Sequence, residues 1–140
     1  LIGKLKPGGT LAVQVPDNAD EAAHRLIREI AADGPWAGSF GAATRLHRNG
    51  ALWYFGALRE KATRVDIWRT TYFHVLHGGP NAVVEWFKGS ALRPYLDALN
   101  ESERAEFLAR YESAIAAAYP AFADGAVLLP FPRLFIVATR

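Results

Sequence analysis

Two arginines stand where charge is unexpected. Arg69 falls on the apolar side of an alternating run, where Val65, Ile67, Thr71 and Phe73 share one face. Arg133 stands at the head of the apolar stretch Leu134 to Ala138. A guanidinium is planar, stays charged and grips a carboxylate through two parallel hydrogen bonds. Each charge-assisted bond is worth roughly 1.5–3 kcal/mol. Other polar side chains sit at element ends: Asp17 and Asn18, Tyr72 and His74, Lys88 and Arg93. Carboxylate recognition is chemistry that such residues support. Several other chemistries find no residues to carry them. The chain has no cysteine, which excludes thiolate sites and disulfides. His24, His47, His74 and His77 show no metal-ligand spacing with one another or with carboxylates, so a metal site is rejected. Gly78-Gly79 reads as a turn and falls short of a phosphate-cradling loop, and no catalytic dyad is visible.

The elements that must hold these residues form a sizeable core. Of 140 residues 51% are hydrophobic, and a domain of about 150 residues buries roughly 70% of its unfolded surface. Charged residues make up 21% and the net charge is only +2. No block of like charges marks a nucleic-acid stripe or a membrane-binding helix. No apolar run approaches the roughly 20 residues that span a bilayer, and no signal peptide opens the chain. The first residue is Leu1 and there is no Met, so a cut chain is expected, working in the cytoplasm.

Lys6-Pro7-Gly8-Gly9 is a turn signature feeding a buried strand, Thr10 to Val15. Pro16-Asp17-Asn18 ends it, and Asp17, Asn18 and Asp20 are candidate caps of the helix whose apolar face is Ala23, Leu26, Ile27, Ile30 and Ala31. Gly34-Pro35 stops that helix, and Trp36 to Gly50 reads as an irregular connection. Helical spacing resumes over Ala51 to Lys61. Thr63 to Val75 alternates as a strand, with Asp66, Trp68, Thr70, Tyr72 and His74 on its wet side. A helix runs from Gly78-Gly79-Pro80 to Gly89, followed by a short piece broken at Pro94. Asn100 and Glu103 form a capping box for a long helix with the face Phe107, Leu108, Tyr111, Ile115 and Ala118. The last segment, Val127 to Thr139, is an interior strand. Pro130 and Pro132 cannot donate ladder bonds, so regular pairing is expected from about Arg133. The order is β-α-α-β-α-α-β, and the first strand is left with an open edge that something must cover. The four tryptophans, Trp36, Trp53, Trp68 and Trp86, are expected to pack rather than to cage a ligand.

Lys6-Pro7-Gly8-Gly9 entering a strand resembles the motif before the fifth strand of class I S-adenosylmethionine-dependent methyltransferases. Asp66-Ile67-Trp68-Arg69-Thr70-Thr71-Tyr72, Val84-Glu85-Trp86-Phe87-Lys88-Gly89, Leu92-Arg93-Pro94-Tyr95-Leu96 and Leu129-Pro130-Phe131-Pro132-Arg133-Leu134-Phe135 are similar, in the same order, to the members that methylate trans-aconitate. The resemblance covers essentially the whole chain. It implies an α/β fold, the C-terminal part of a Rossmann-like sheet. Three strands are expected, with the last inserted antiparallel between the fifth and sixth, and a helical substrate-cap insertion at about 78–120. The whole of 1–140 is then one part of a methyltransferase domain whose N-terminal cofactor-binding half is absent. The family's Gly-rich loop and acidic ribose-binding residue have no counterpart here, so no cofactor contact carries over.

In open α/β sheets ligands bind beyond the carboxyl ends of the parallel strands. Under the implied topology Asn18, Tyr72, His74 and Arg133 reach that rim. The implied reaction is methyl transfer from S-adenosylmethionine to a carboxylate of trans-aconitate or a similar polycarboxylate. The expected substrate-binding residues are Arg69 and Arg133, then Tyr72, His74, Asn18 and Arg93, with Lys88 and Asp17 behind them and no catalytic residue. No nucleic acid, membrane or metal is expected as a partner; the missing half or another chain is expected over the first strand, and the fragment alone is expected to be inactive. A phenol or quinone acceptor, or a non-catalytic polycarboxylate- or partner-binding fragment, stays open as an alternative.

Overall fold

The computed structural model describes residues 1–41 and 49–140. Its strands are β1 (Thr10–Pro16), β2 (Arg64–His77) and β3 (Ala126–Thr139). Its helices are α1 (Ala22–Ala32), α2 (Ala51–Leu58), α3 (Pro80–Lys88), α4 (Arg93–Leu96) and α5 (Glu101–Ala118), with a 3-10 turn at Ile2–Lys4. The fold is α/β, with one short helix, α4, beyond the expected order.

The opening turn forms as its residues dictate. Gly9 N–H donates to Lys6 C=O at 2.9 Å, Pro7 supplies the fixed φ of the first turn position, and Gly8 takes the left-handed φ of +79° that an L side chain resists. β1 leaves this turn and pairs antiparallel with β3 in a register running from Pro16↔Arg133 to Thr10↔Thr139. Pairing with β1 thus begins at Arg133, where the prolines stop. β3 is the middle strand of the order β1-β3-β2. Thr63 N–H donates to Thr139 C=O at 2.8 Å, so β2 begins where β3 ends and these two also run antiparallel. The last strand therefore lies between the other two and opposes both, and β1 and β2 point the same way.

Two compact units divide the chain. The first takes Leu1–Asn18, the described part of 47–72 and Phe131–Arg140. On one sheet face Leu11, Val13 and Ile136 meet Trp53, Tyr54 and Leu58 of α2 around a cavity of about 320 Å³. On the other, Trp68 stacks on Phe135 with centroids 5.3 Å apart and planes 9° from parallel. α2 buries none of its residues, and Leu52, Trp53 and Phe55 are exposed. Among the described residues no strand pairs with the outer edge of β1.

The second unit takes the described part of 19–46 and Phe73–Pro130. It includes α1 and residues 121–130 as well as α3, α4 and α5. Its core is built from Ile27, Trp36, Val83, Phe87, Phe107, Tyr111 and Ile115. The capping box forms: Glu103 N–H donates to Asn100 Oδ1 at 3.0 Å, and Asn100 N–H to Glu103 Oε2 at 3.1 Å. α1 is not capped by Asp17, Asn18 or Asp20 as the sequence suggests; it starts later, after Glu21, with no side-chain cap. The partner comes from elsewhere in the unit. Tyr119 Oη accepts from Ala23 N–H at 3.0 Å, while Tyr111 O–H donates to Ala23 C=O at 3.2 Å. Burial pushes both tyrosine hydroxyls above their ordinary pKa.

Other expectations shift. Phe73 was expected on the apolar side of β2 and is 61% exposed, and Ala118 on α5 is exposed. Of the four tryptophans only Trp36 is fully buried; Trp53, Trp68 and Trp86 are partly exposed. Residues 42–48 of the irregular connection, His47 among them, lie outside the described residues. No helix among the described residues is long and apolar enough to cross a membrane.

Candidate functional site

β1 and β2 point the same way, so their carboxyl ends lie on the side of the sheet where β3 begins its pairing with β1. Arg133 stands opposite Pro16 at that end, and Asp17 N–H donates to Pro132 C=O at 2.9 Å, which ties the chain just past β1 to the residue before Arg133. Alternation places Arg133 on the face of Phe135, two residues on, and Tyr72 on the face of Trp68. The Trp68–Phe135 stack shows that these are one and the same face. Arg133 and Tyr72 therefore share a face on the side of the β1 terminus. The Arg133 guanidinium lies over the Phe131 ring, 5.4 Å from its centroid.

Two polar atoms of this rim are buried without a hydrogen-bond partner: Arg133 Nε and Asn18 Oδ1. Asn18 is only 3% exposed and caps no helix. Most buried polar groups find partners, because leaving one unpaired forfeits about 1–3 kcal/mol. A donor and an acceptor left unpaired at one strand end are a ready place for a polar ligand.

Arg69 arrives from the opposite face of β2. Its acid partner is Asp17: Nε lies 2.7 Å and Nη2 2.6 Å from the same Asp17 oxygen, Oδ2. β3 lies between β1 and β2, and neighbouring strands are about 4.8 Å apart, so this side chain reaches across the middle strand. The rim thus carries two guanidinium groups and one carboxylate. Sequence reasoning flagged both arginines but not their link. An acid directly after β1 and an arginine on an apolar face are each visible in the chain, yet only the strand order brings them together.

The remaining candidates fall in the helical unit. The His74 ring tilts against Trp86 at 4.9 Å. Arg93 is solvated on α4, 3.6 Å from Asp97, and Lys88 pairs with Glu85 at 2.6 Å; both arrangements are those of surface ion pairs. Among the described residues no group of three His, Cys, Asp or Glu could hold a metal ion.

No protein-family model matches the chain. Curated relatives do. The chain is 52% identical over 142 residues to trans-aconitate 2-methyltransferase of Methylobacterium nodulans, covering 100% of this chain and 55% of the relative. It is 51% identical over 144 residues to the protein of that name in Rhodopseudomonas palustris (strain BisB18), and 52% identical over 142 residues to that of Rhizobium meliloti, with the same coverage. The chain spans about half the length of the curated relatives it matches.

Proposed function

From a kinship with the trans-aconitate 2-methyltransferases that runs the whole length of the chain, we infer that the protein transfers a methyl group from S-adenosylmethionine to a carboxylate of trans-aconitate or a similar polycarboxylate, giving a methyl ester. The observation that supports the acceptor half of this reading is the Arg133 Nε, buried without a hydrogen-bond partner in the residue that faces Pro16 at the end of β1, as is Asn18 Oδ1 two residues past that strand. Arg133 and Tyr72 would take the acid from one face of the sheet and Arg69 from the other. His74 and Arg93 belong to the helical unit.

The chemistry asks little of acid–base groups. An acceptor carboxylate, with a pKa of about 4, is already ionised at neutral pH and needs no general base. When bound, S-adenosylmethionine supplies a methyl carried on a sulfonium, electrophilic without protein assistance. The described residues include neither the family's Gly-rich loop nor its ribose-binding acid, so no donor contact is assigned to this chain. Its residues hold the acceptor oxygen in line, and such positioning can remove up to about 7–11 kcal/mol of a barrier. Among the described residues the outer edge of β1 is unpaired and apolar residues of α2 are exposed, which suits coverage by the rest of a longer fold. We expect the 140-residue chain alone to be inactive.

Methyl-transfer assays on the full-length protein with polycarboxylates and phenols test this directly. We expect ester formation on trans-aconitate and none on phenols; turnover confined to phenols or quinones would refute it.

A further inference from the structure

We propose that Asp17 is a positioning residue, whose carboxylate draws the Arg69 guanidinium across β3 so that the outer edge of that guanidinium takes a second carboxylate of the acceptor. This rests on the acceptor reading above. It adds a role for an acid in a site otherwise built to bind acids.

An arginine on β2 whose side chain is 64% exposed has every reason to point into water, where its guanidinium is best hydrated. Instead it meets an acid that follows β1, two strands away in the order β1-β3-β2. Asp17 can hold it there because Asp17 is itself held. Its N–H is bonded to Pro132 C=O, and its side chain is 23% exposed. The contact is side-on and uses a single oxygen, Oδ2, for both Nε and Nη2. A guanidinium has five N–H donors in a fixed plane. With the Nε edge occupied, the Nη1 side and the second Nη2 hydrogen face away from Asp17, in the geometry that receives a carboxylate end-on.

The charge balance points the same way. One carboxylate between Arg69 and Arg133 leaves one surplus positive charge at the rim. The link from Pro132 through Asp17 to Arg69 also fixes the second cation relative to Arg133, the residue next to Pro132. A polycarboxylate could then be read at two positions, one set by Arg133 and one by Arg69.

The test is steady-state kinetics on the full-length protein, with trans-aconitate as the acceptor, for Asp17→Asn, Arg69→Lys and the double variant. Asp17→Asn keeps shape and an oxygen but loses the charge that holds the guanidinium. We expect KM for trans-aconitate to rise about tenfold with kcat changed less than about twofold, since a charge-assisted contact is lost from binding. Arg69→Lys is expected to match it, and the double variant to be no worse than either single change, because Asp17 acts through Arg69. Asp17→Glu, which restores the charge, is expected to recover most of the loss. An unchanged KM in Asp17→Asn, additive losses in the double variant, or a fall in kcat alone would overturn the role of Asp17 while leaving the acceptor reading intact. Wild-type protein that neither binds nor methylates trans-aconitate would overturn both.

Discussion

A buried polar atom without a partner is the residue-scale signal in this fold, and the contrast between two pairs of side chains shows why. Tyr119 and Tyr111 are deeply buried, yet each hydroxyl is bonded to the backbone of Ala23, and their work is structural. Asn18 and Arg133 have atoms as deeply buried and bonded to nothing. Tyr119→Phe would strand the Ala23 N–H, and urea denaturation is expected to show a loss of about 1–3 kcal/mol. Tyr111→Phe leaves a carbonyl with its helical role and is expected to cost less. The two hydroxyls also set an alkaline limit. Burial raises their pKa above the value of 10.0 they have when exposed, so the folded state favours the protonated form. Their contribution is complete below about pH 10 and is lost as pH rises beyond it. Stability measured against pH should therefore fall above about 10, and less steeply in Tyr111→Phe. At this scale the sequence exposes anomalies better than partners. Arg69 is conspicuous on an apolar face, whereas its pairing with Asp17, 52 residues away, depends on strand order.

Elements that end on local chemistry were the legible ones. The Pro-Gly turn and the Asn100–Glu103 box each follow from a few neighbouring residues, whereas β3 starts at Ala126 and runs through Pro130 and Pro132, so that only its pairing with β1 begins at Arg133. Asn100→Ala is expected to cost about 1 kcal/mol, read as a lower denaturation midpoint with earlier loss of helix signal. The start of α1 is not legible, because its Ala23 N–H is met by Tyr119 just past the end of α5, while Asp17 pairs with Arg69 and Asn18 caps no helix. Gly34 shows a related limit. It reads as a helix stop, and its structural reason is closer packing. A Cβ there would lie 2.2 Å from the Trp36 ring, which is fully buried and donates from Nε1 to Ile30 C=O at 3.0 Å. Gly34→Ala is expected to lower stability by about 1–3 kcal/mol through overpacking, with a change in tryptophan fluorescence.

For the whole molecule, strand order is the property that turns separate residues into a site. Placing β3 between β1 and β2, opposed to both, carries Arg133 to the end of β1 and lets Arg69 reach Asp17. Apolarity on both sides of Leu134 to Ala138 foretold the interior position. The division into two units was not foretold, because β2 and β3 are each continuous through it. Among the described residues the outer edge of β1 is unpaired and Leu52, Trp53 and Phe55 of α2 are exposed, surfaces that suit coverage by further chain. The most direct test of the proposed acid-binding role of the β1 carboxyl end is Arg133→Lys in the full-length protein, with kinetics for trans-aconitate and affinity for S-adenosylmethionine measured side by side. Lysine keeps the charge but not the planar fork. We predict a rise of about tenfold or more in KM for trans-aconitate, or an equivalent loss in kcat/KM, with S-adenosylmethionine affinity unchanged. Equal loss of donor affinity, or no change in either, would contradict the assignment of the β1 carboxyl end as the acid-binding site.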